Sequence, residues 1–141
     1  MPSSIFVQLL WIAIVGSSGY AWFCGGPAEK FGAFLFVSAA ILSLAVTRMV
    51  LPEYIQIVGL GLDLAFSVAF LFFVVRFGSY WLGGIMLVQA GQFTLHAYYL
   101  VLERPQDRLH AIFNNVGVLM SVGLLVFGTY LHRRTDRLAT D

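Results

Sequence analysis

Charge is what this 141-residue chain has least of: 11% of its residues are Asp, Glu, Lys or Arg, and the formal balance is +1. A nucleic-acid surface needs a concentrated basic face, so partners of that class are excluded by composition. Cysteine is nearly absent too, with Cys24 alone. One thiol makes no internal disulfide, no Cys-x-x-Cys redox pair and no thiolate metal cage within the chain, which excludes a thiol oxidase built on paired cysteines. Long polar stretches are also missing, and with them any soluble domain.

What is present is apolar. Hydrophobic residues make up 60% of the chain and mean hydropathy is +0.86, values that belong to a multi-pass membrane protein. A span needs about 20 apolar residues to cross a hydrocarbon layer of about 30 Å. Five such runs occur, at residues 5–23, 31–51, 54–75, 80–102 and 111–131, followed by a polar tail at 132–141 expected to be frayed. The connectors are the segment Cys24-Gly-Gly-Pro-Ala-Glu-Lys30, the Pro52-Glu53 corner, Arg76-Phe-Gly-Ser79 and the segment from Glu103 to His110. Links this short make neighbouring runs antiparallel. The runs are continuous instead of alternating, which predicts helices and not a β-barrel, because a helix satisfies its own backbone in lipid. The expected fold is all-α, an integral membrane five-helix transmembrane bundle forming a single domain over 1–141.

The first run is expected to stay in place as a span. Met1-Pro-Ser-Ser4 has no basic residue, and Ser17-Ser-Gly-Tyr-Ala21 is a poor signal-peptide cleavage site. One side of the bundle carries Arg48, Arg104 and Arg108, and the other Lys30, Arg76, Arg133, Arg134 and Arg137. The positive-inside rule then predicts the N-terminus out and the C-terminus in, with a bacterial inner (cytoplasmic) membrane as the location. Trp11, Tyr20, Trp22, Tyr54, Tyr80, Trp81, Tyr98, Tyr99 and Tyr130 lie mostly near run ends, where amphipathic rings anchor in the headgroup region.

Polar residues inside the runs carry the functional signal. Gln56, Gly59, Asp63 and Ser67 fall on one helical face of the third run; Gln89, Gln92, His96 and Tyr99 do the same on the fourth. With a rise of about 1.5 Å per residue, Asp63 lies about 13 Å from the outer end of its run, Gln92 about 15 Å and His96 about 9 Å. That register sets Asp63 against Gln92, Ser67 against Gln89 and Gly59 against His96; a small shift pairs Asp63 with His96 instead. Asn114, Gly117 and Ser121 form a further stripe, and Asn115, Thr47 and Gln8 lie at similar outer depths. A carboxylate facing lipid near midplane costs at least about 2.5 kcal/mol, so Asp63 is expected to face inward and be paired or protonated. The candidate cluster is Asp63, Gln89, Gln92, His96, Asn114 and Asn115, either as interhelical glue or as a binding and proton-handling site. Small-residue pairs Gly61 with Ala65, Gly117 with Ser121 and Ser17 with Ala21 permit close helix approach, and the face of Gly61 and Ala65 is expected to contact protein.

Catalytic constellations are incomplete. The stretch Gly59-Leu-Gly-Leu-Asp63 is one residue out of step with the Gly-x-Gly-Asp of intramembrane aspartyl proteases, and no second intramembrane Asp exists to share a proton. Ser67 and His96 are poorly matched in depth for a serine dyad, and no Gly-x-Ser motif surrounds Ser67. A bis-histidine haem is disfavoured because His110 falls in a connector and His132 at the opposite face. No enzyme, cofactor or metal is expected.

Gly26-Pro-Ala-Glu-Lys30, Asp63, Trp81 with Gln89 eight residues on and His96 seven further, and Gly128 together form a pattern along most of the chain. In this pattern the chain resembles a family of small five-span bacterial inner-membrane proteins, departing from it at Leu82, where the family often has Pro. The resemblance implies the five-span architecture, directs attention to Asp63, Gln89 and His96, and implies no activity. Two functions fit these residues. The first is a non-enzymatic accessory subunit or helper of a membrane complex. Its partners would be the lipid bilayer and another membrane protein or a second copy. The second is a small oligomeric proton- or solute-coupled transporter or channel using Asp63 and His96.

Overall fold

The computed structural model describes residues 4–105 and 107–140. Among them five α-helices form and no strand: α1 (Ser4–Cys24), α2 (Pro27–Met49), α3 (Ile55–Phe77), α4 (Tyr80–Val101) and α5 (Arg108–Thr140). Each apolar run of the sequence lies within one of these helices or overlaps it closely. The polar tail expected to fray is instead the end of α5, as far as Thr140; Asp141 lies outside the described residues.

Boundaries follow from local chemistry. α2 begins earlier than its apolar run because Gly26-Pro-Ala-Glu29 is a helix start: Pro27 is preset for the first turn, and Oε2 of Glu29 accepts the Gly26 N–H at 3.0 Å. α3 stops at Gly78, whose φ of 61° is left-handed and whose N–H closes on the Val74 carbonyl at 2.8 Å. Asp107 precedes α5, and its Oδ1 accepts the N–H of His110 at 3.0 Å in the manner of an N-cap.

Successive helices pack against one another, and α5 returns to α1, closing a ring. α2 also touches α5 across it. Each short link reverses the chain, so α1, α3 and α5 run one way and the α1–α5 seam joins helices of the same direction.

The exterior is apolar. Phe23 is 86% exposed, Val75 78% and Val101 79%, while Glu29, Gln89, Gln92, Ser121 and Thr129 are buried. This is the reverse of a water-soluble bundle, in which burial of unpaired polar groups is avoided and large apolar patches are few. α2, α3 and the Arg108–Leu138 part of α5 are long and apolar enough to cross a membrane; Gln8–Cys24 of α1 is a shorter apolar helix. Gly61 and Ala65 of α3 are exposed, so the expected protein contact on that face does not form within the chain.

The interior has two zones. Ala21, Ala33, Phe70, Trp81, Leu82, Ile85 and Leu125 form a close-packed apolar core toward the α1–α2 and α3–α4 connectors. The other half holds a cavity.

Candidate functional site

A cavity of about 460 Å³ lies among all five helices, in the half nearer the α2–α3 and α4–α5 connectors. Its apolar wall includes Trp11 and Ile14 of α1, Phe36 and Leu44 of α2, and Leu62 and Phe66 of α3. Its polar wall includes every member of the sequence-derived cluster: Asp63, Gln89, Gln92, His96, Asn114 and Asn115. An apolar pocket with a few convergent polar groups is the usual form of a small-molecule site.

The pairing within this wall is set by helix register. Asp63 Oδ2 meets His96 Nδ1, joining α3 to α4. This is the shifted register, and it replaces the expected Asp63–Gln92 contact. Gln92 reaches α5 instead: its Nε2 donates to Asn114 Oδ1 at 3.1 Å and to the Asn114 carbonyl at 3.3 Å. Gly117 makes that reach possible, because a Cβ there would lie 2.7 Å from Gln92 Nε2. The expected Ser67–Gln89 pair also does not form; Ser67 Oγ is buried without a hydrogen-bond partner among the described residues. Gln89 is buried in the wall, and Asn115 borders the cavity beside Asn114. Thr47 borders it too, its hydroxyl satisfied by the Ser43 carbonyl at 2.8 Å.

His110 departs from its expected place in a connector. It lies in the first turn of α5, not in a connector, and its ring stacks on His96 with centroids 4.6 Å apart. Rings in direct contact leave no room for a macrocycle between them, so the new position does not revive a bis-histidine haem. Among the described residues no group of three or more His, Cys, Asp and Glu is placed to hold a metal. His110 also meets the Tyr99 ring edge-on at 5.1 Å, and its buried Nε2 has no hydrogen-bond partner among the described residues. Tyr99 donates its hydroxyl to Asp107 Oδ1 at 2.7 Å. This bond first, and the His110 N–H second, holds the Asp107 carboxyl below the usual carboxylate range. A continuous line of ionisable and polar groups thus runs from Asp63 through His96 and His110 to Tyr99 and Asp107 at the connector.

The opposite end is stopped by a second polar cluster, which sequence reasoning missed. Glu29 is 5% exposed; its Oε1 accepts the Trp81 indole N–H at 3.1 Å while its Oε2 holds the Gly26 N–H. Trp81 is therefore a buried plug and not an interfacial anchor. Gly32 and Gly128 make room for its ring, since a Cβ would lie 2.7 Å from it at Gly32 and 2.5 Å at Gly128. The readable signal was the Gly-Pro-x-Glu helix start, which puts Glu29 in the first turn of a helix and not in a loop.

No family model, curated protein or solved structure matches this chain.

Proposed function

We propose that this chain is a five-span integral protein of the bacterial inner membrane, N-terminus out and C-terminus in. In this reading it acts as a non-enzymatic accessory subunit whose one-sided cavity is its binding element. The observation that carries the reading is the division of the interior: a polar-walled cavity in one half and a Trp81-plugged apolar core in the other. A blind pocket holds a molecule; a conduit would need the core half to be open as well. The five-span arrangement is supported by the apolar exterior and by all five helices contributing to the ring. Orientation is supported by the excess of Lys and Arg at the end where α5 finishes.

The walls define what the cavity suits. Apolar rings on α1–α3 face amide, imidazole and carboxylate groups on α3–α5, so the fitting ligand is an amphiphile with a small hydrogen-bonding head. His110 borders the cavity as well, with its Nε2 buried and without a hydrogen-bond partner among the described residues. Affinity then depends on hydrogen bonds to those polar groups as much as on apolar contact.

Proton handling is the second reading, favoured by the line from Asp63 through His96 and His110 to Asp107. Under it, Asp63 receives protons from the outer face along the stacked imidazoles, and transport requires a second conformation in which the Trp81 end opens.

Gentle extraction through a C-terminal tag, followed by native mass spectrometry, separates the two. The accessory reading expects a stoichiometric foreign membrane protein. A homo-oligomer with no foreign subunit contradicts it and favours the transporter.

A further inference from the structure

The end of α5 carries a feature the cavity does not use. Counting about 1.5 Å per residue, Tyr130 lies about 33 Å along the helix from Arg108, just past a hydrocarbon layer of about 30 Å. Arg133, Arg134 and Arg137 follow within two turns. Helical spacing puts Tyr130, Arg133, Arg134 and Arg137 on one face and His132 with Asp136 on the opposite face, where Asp136 faces His132 at 3.6 Å. The arginine face is exposed, and along its edge with α1 the residues Tyr20, Tyr130, Arg133, Arg134, Arg137 and Leu138 line an open recess of about 310 Å³ at the α1–α5 seam. Packing fixes its height, because His132 lies against Gly26 of the α1–α2 corner, where a Cβ would be 2.6 Å from the imidazole.

We infer that this recess binds the phosphate headgroup of one anionic phospholipid on the face where α5 ends. The inference rests on the reading that α1 and α5 cross a membrane. The guanidiniums of Arg133 and Arg134 present forked donors suited to phosphate oxygens, Arg137 adds positive charge beside them, and two tyrosine hydroxyls supply neutral donors at the headgroup level. Leu138 and the apolar flank of the seam offer contact to the lipid body. Net charge matters here: a zwitterionic headgroup returns a cation to a recess already lined by arginines, so phosphatidylglycerol is favoured over phosphatidylcholine.

The test uses the full chain in nanodiscs with equal phosphatidylglycerol and phosphatidylcholine, released in the gas phase and weighed with its retained lipids. One phosphatidylglycerol is expected to stay bound. The variant R133Q/R134Q/R137Q is expected to lose it by on the order of 100-fold, and R134Q alone by about fivefold. R104Q/R108Q, at the other end, is expected to leave retention unchanged. Equal retention of the two lipids, or undiminished retention by the triple variant, overturns the site. Displacement by millimolar inorganic phosphate overturns the lipid assignment and makes it a free-anion site. Carbonate washing of membranes keeps the failures apart: a chain that washes off refutes the span reading, while one that stays but shows no lipid preference refutes the recess alone.

Discussion

The indole N–H of Trp81 donates to Oε1 of Glu29 at 3.1 Å, tying the first turn of α4 to the first turn of α2 across 52 residues of sequence. With Gly26 on the other oxygen, both carboxylate oxygens have a donor in a buried setting. Glu29→Ala strands two N–H groups and is expected to cost about 1–3 kcal/mol. Trp81→Phe is expected to be destabilising as well, and the double variant to cost less than the sum, since each change removes the same bond. Thermal unfolding in detergent reads all three; strict additivity would show that the bond couples nothing.

Gly128 is held small by the same ring. Gly128→Ala puts a methyl group 2.5 Å from Trp81 atoms and is expected to lower stability by about 1–3 kcal/mol. Gly123 lies on the same helix with nothing within 4 Å of its added Cβ, so Gly123→Ala is expected to be neutral or stabilising by about 0.5–1 kcal/mol. Melting temperatures of the two variants moving in the same direction would refute this account of Gly128.

At the centre of the cavity wall, Asp63→Ala removes the acceptor for His96 Nδ1, whereas Asp63→Asn keeps an amide oxygen there. The expected order of melting temperature is wild type, then Asn, then Ala. Indistinguishable Asn and Ala variants would mean that the contact contributes no stability.

Asp107 gives the fold an acid-sensitive corner. Its folded pKa is lowered by the Tyr99 hydroxyl and the His110 N–H, so its contribution is complete above the ordinary carboxylate range and is lost as pH falls through the lowered value. Wild type is therefore expected to lose stability below about pH 4. Asp107→Ser, which retains an N-cap oxygen without the charge, is expected to flatten that acid limb. An unchanged acid limb in the variant would assign it to other groups.

Sequence periodicity reached the five helices because an apolar run is long, redundant and insensitive to any one residue. It also reached six of the polar residues that border the cavity, since Asp63, Gln89, Gln92, His96, Asn114 and Asn115 interrupt apolar runs at helical spacing. Pairing was harder. A shift of one helical turn exchanges Gln92 for His96 as the partner of Asp63, and run ends are not sharp enough to choose. His110 and Glu29 escaped for a shared reason: charged and polar residues at run ends read as connector, although Asp107 and Gly26-Pro27 signal that the helices begin there. Trp81 escaped because its aromatic position near a run end fits an interfacial anchor equally well. What decides its burial is a glycine on α2 and another on α5, a relation between distant segments that local pattern does not carry.

The cavity lies in one half of the bundle, and the buried Trp81–Glu29 pair lies in the other. Replacing Cys24 by Ser and placing single cysteines at Gln56 and Asn115 allows labelling with a membrane-impermeant maleimide in right-side-out and inverted vesicles. Both cysteines are expected to label from the face opposite the C-terminus and to stay protected from the other. Labelling with equal speed from both faces would contradict the closed end and replace the blind pocket with a through-passage.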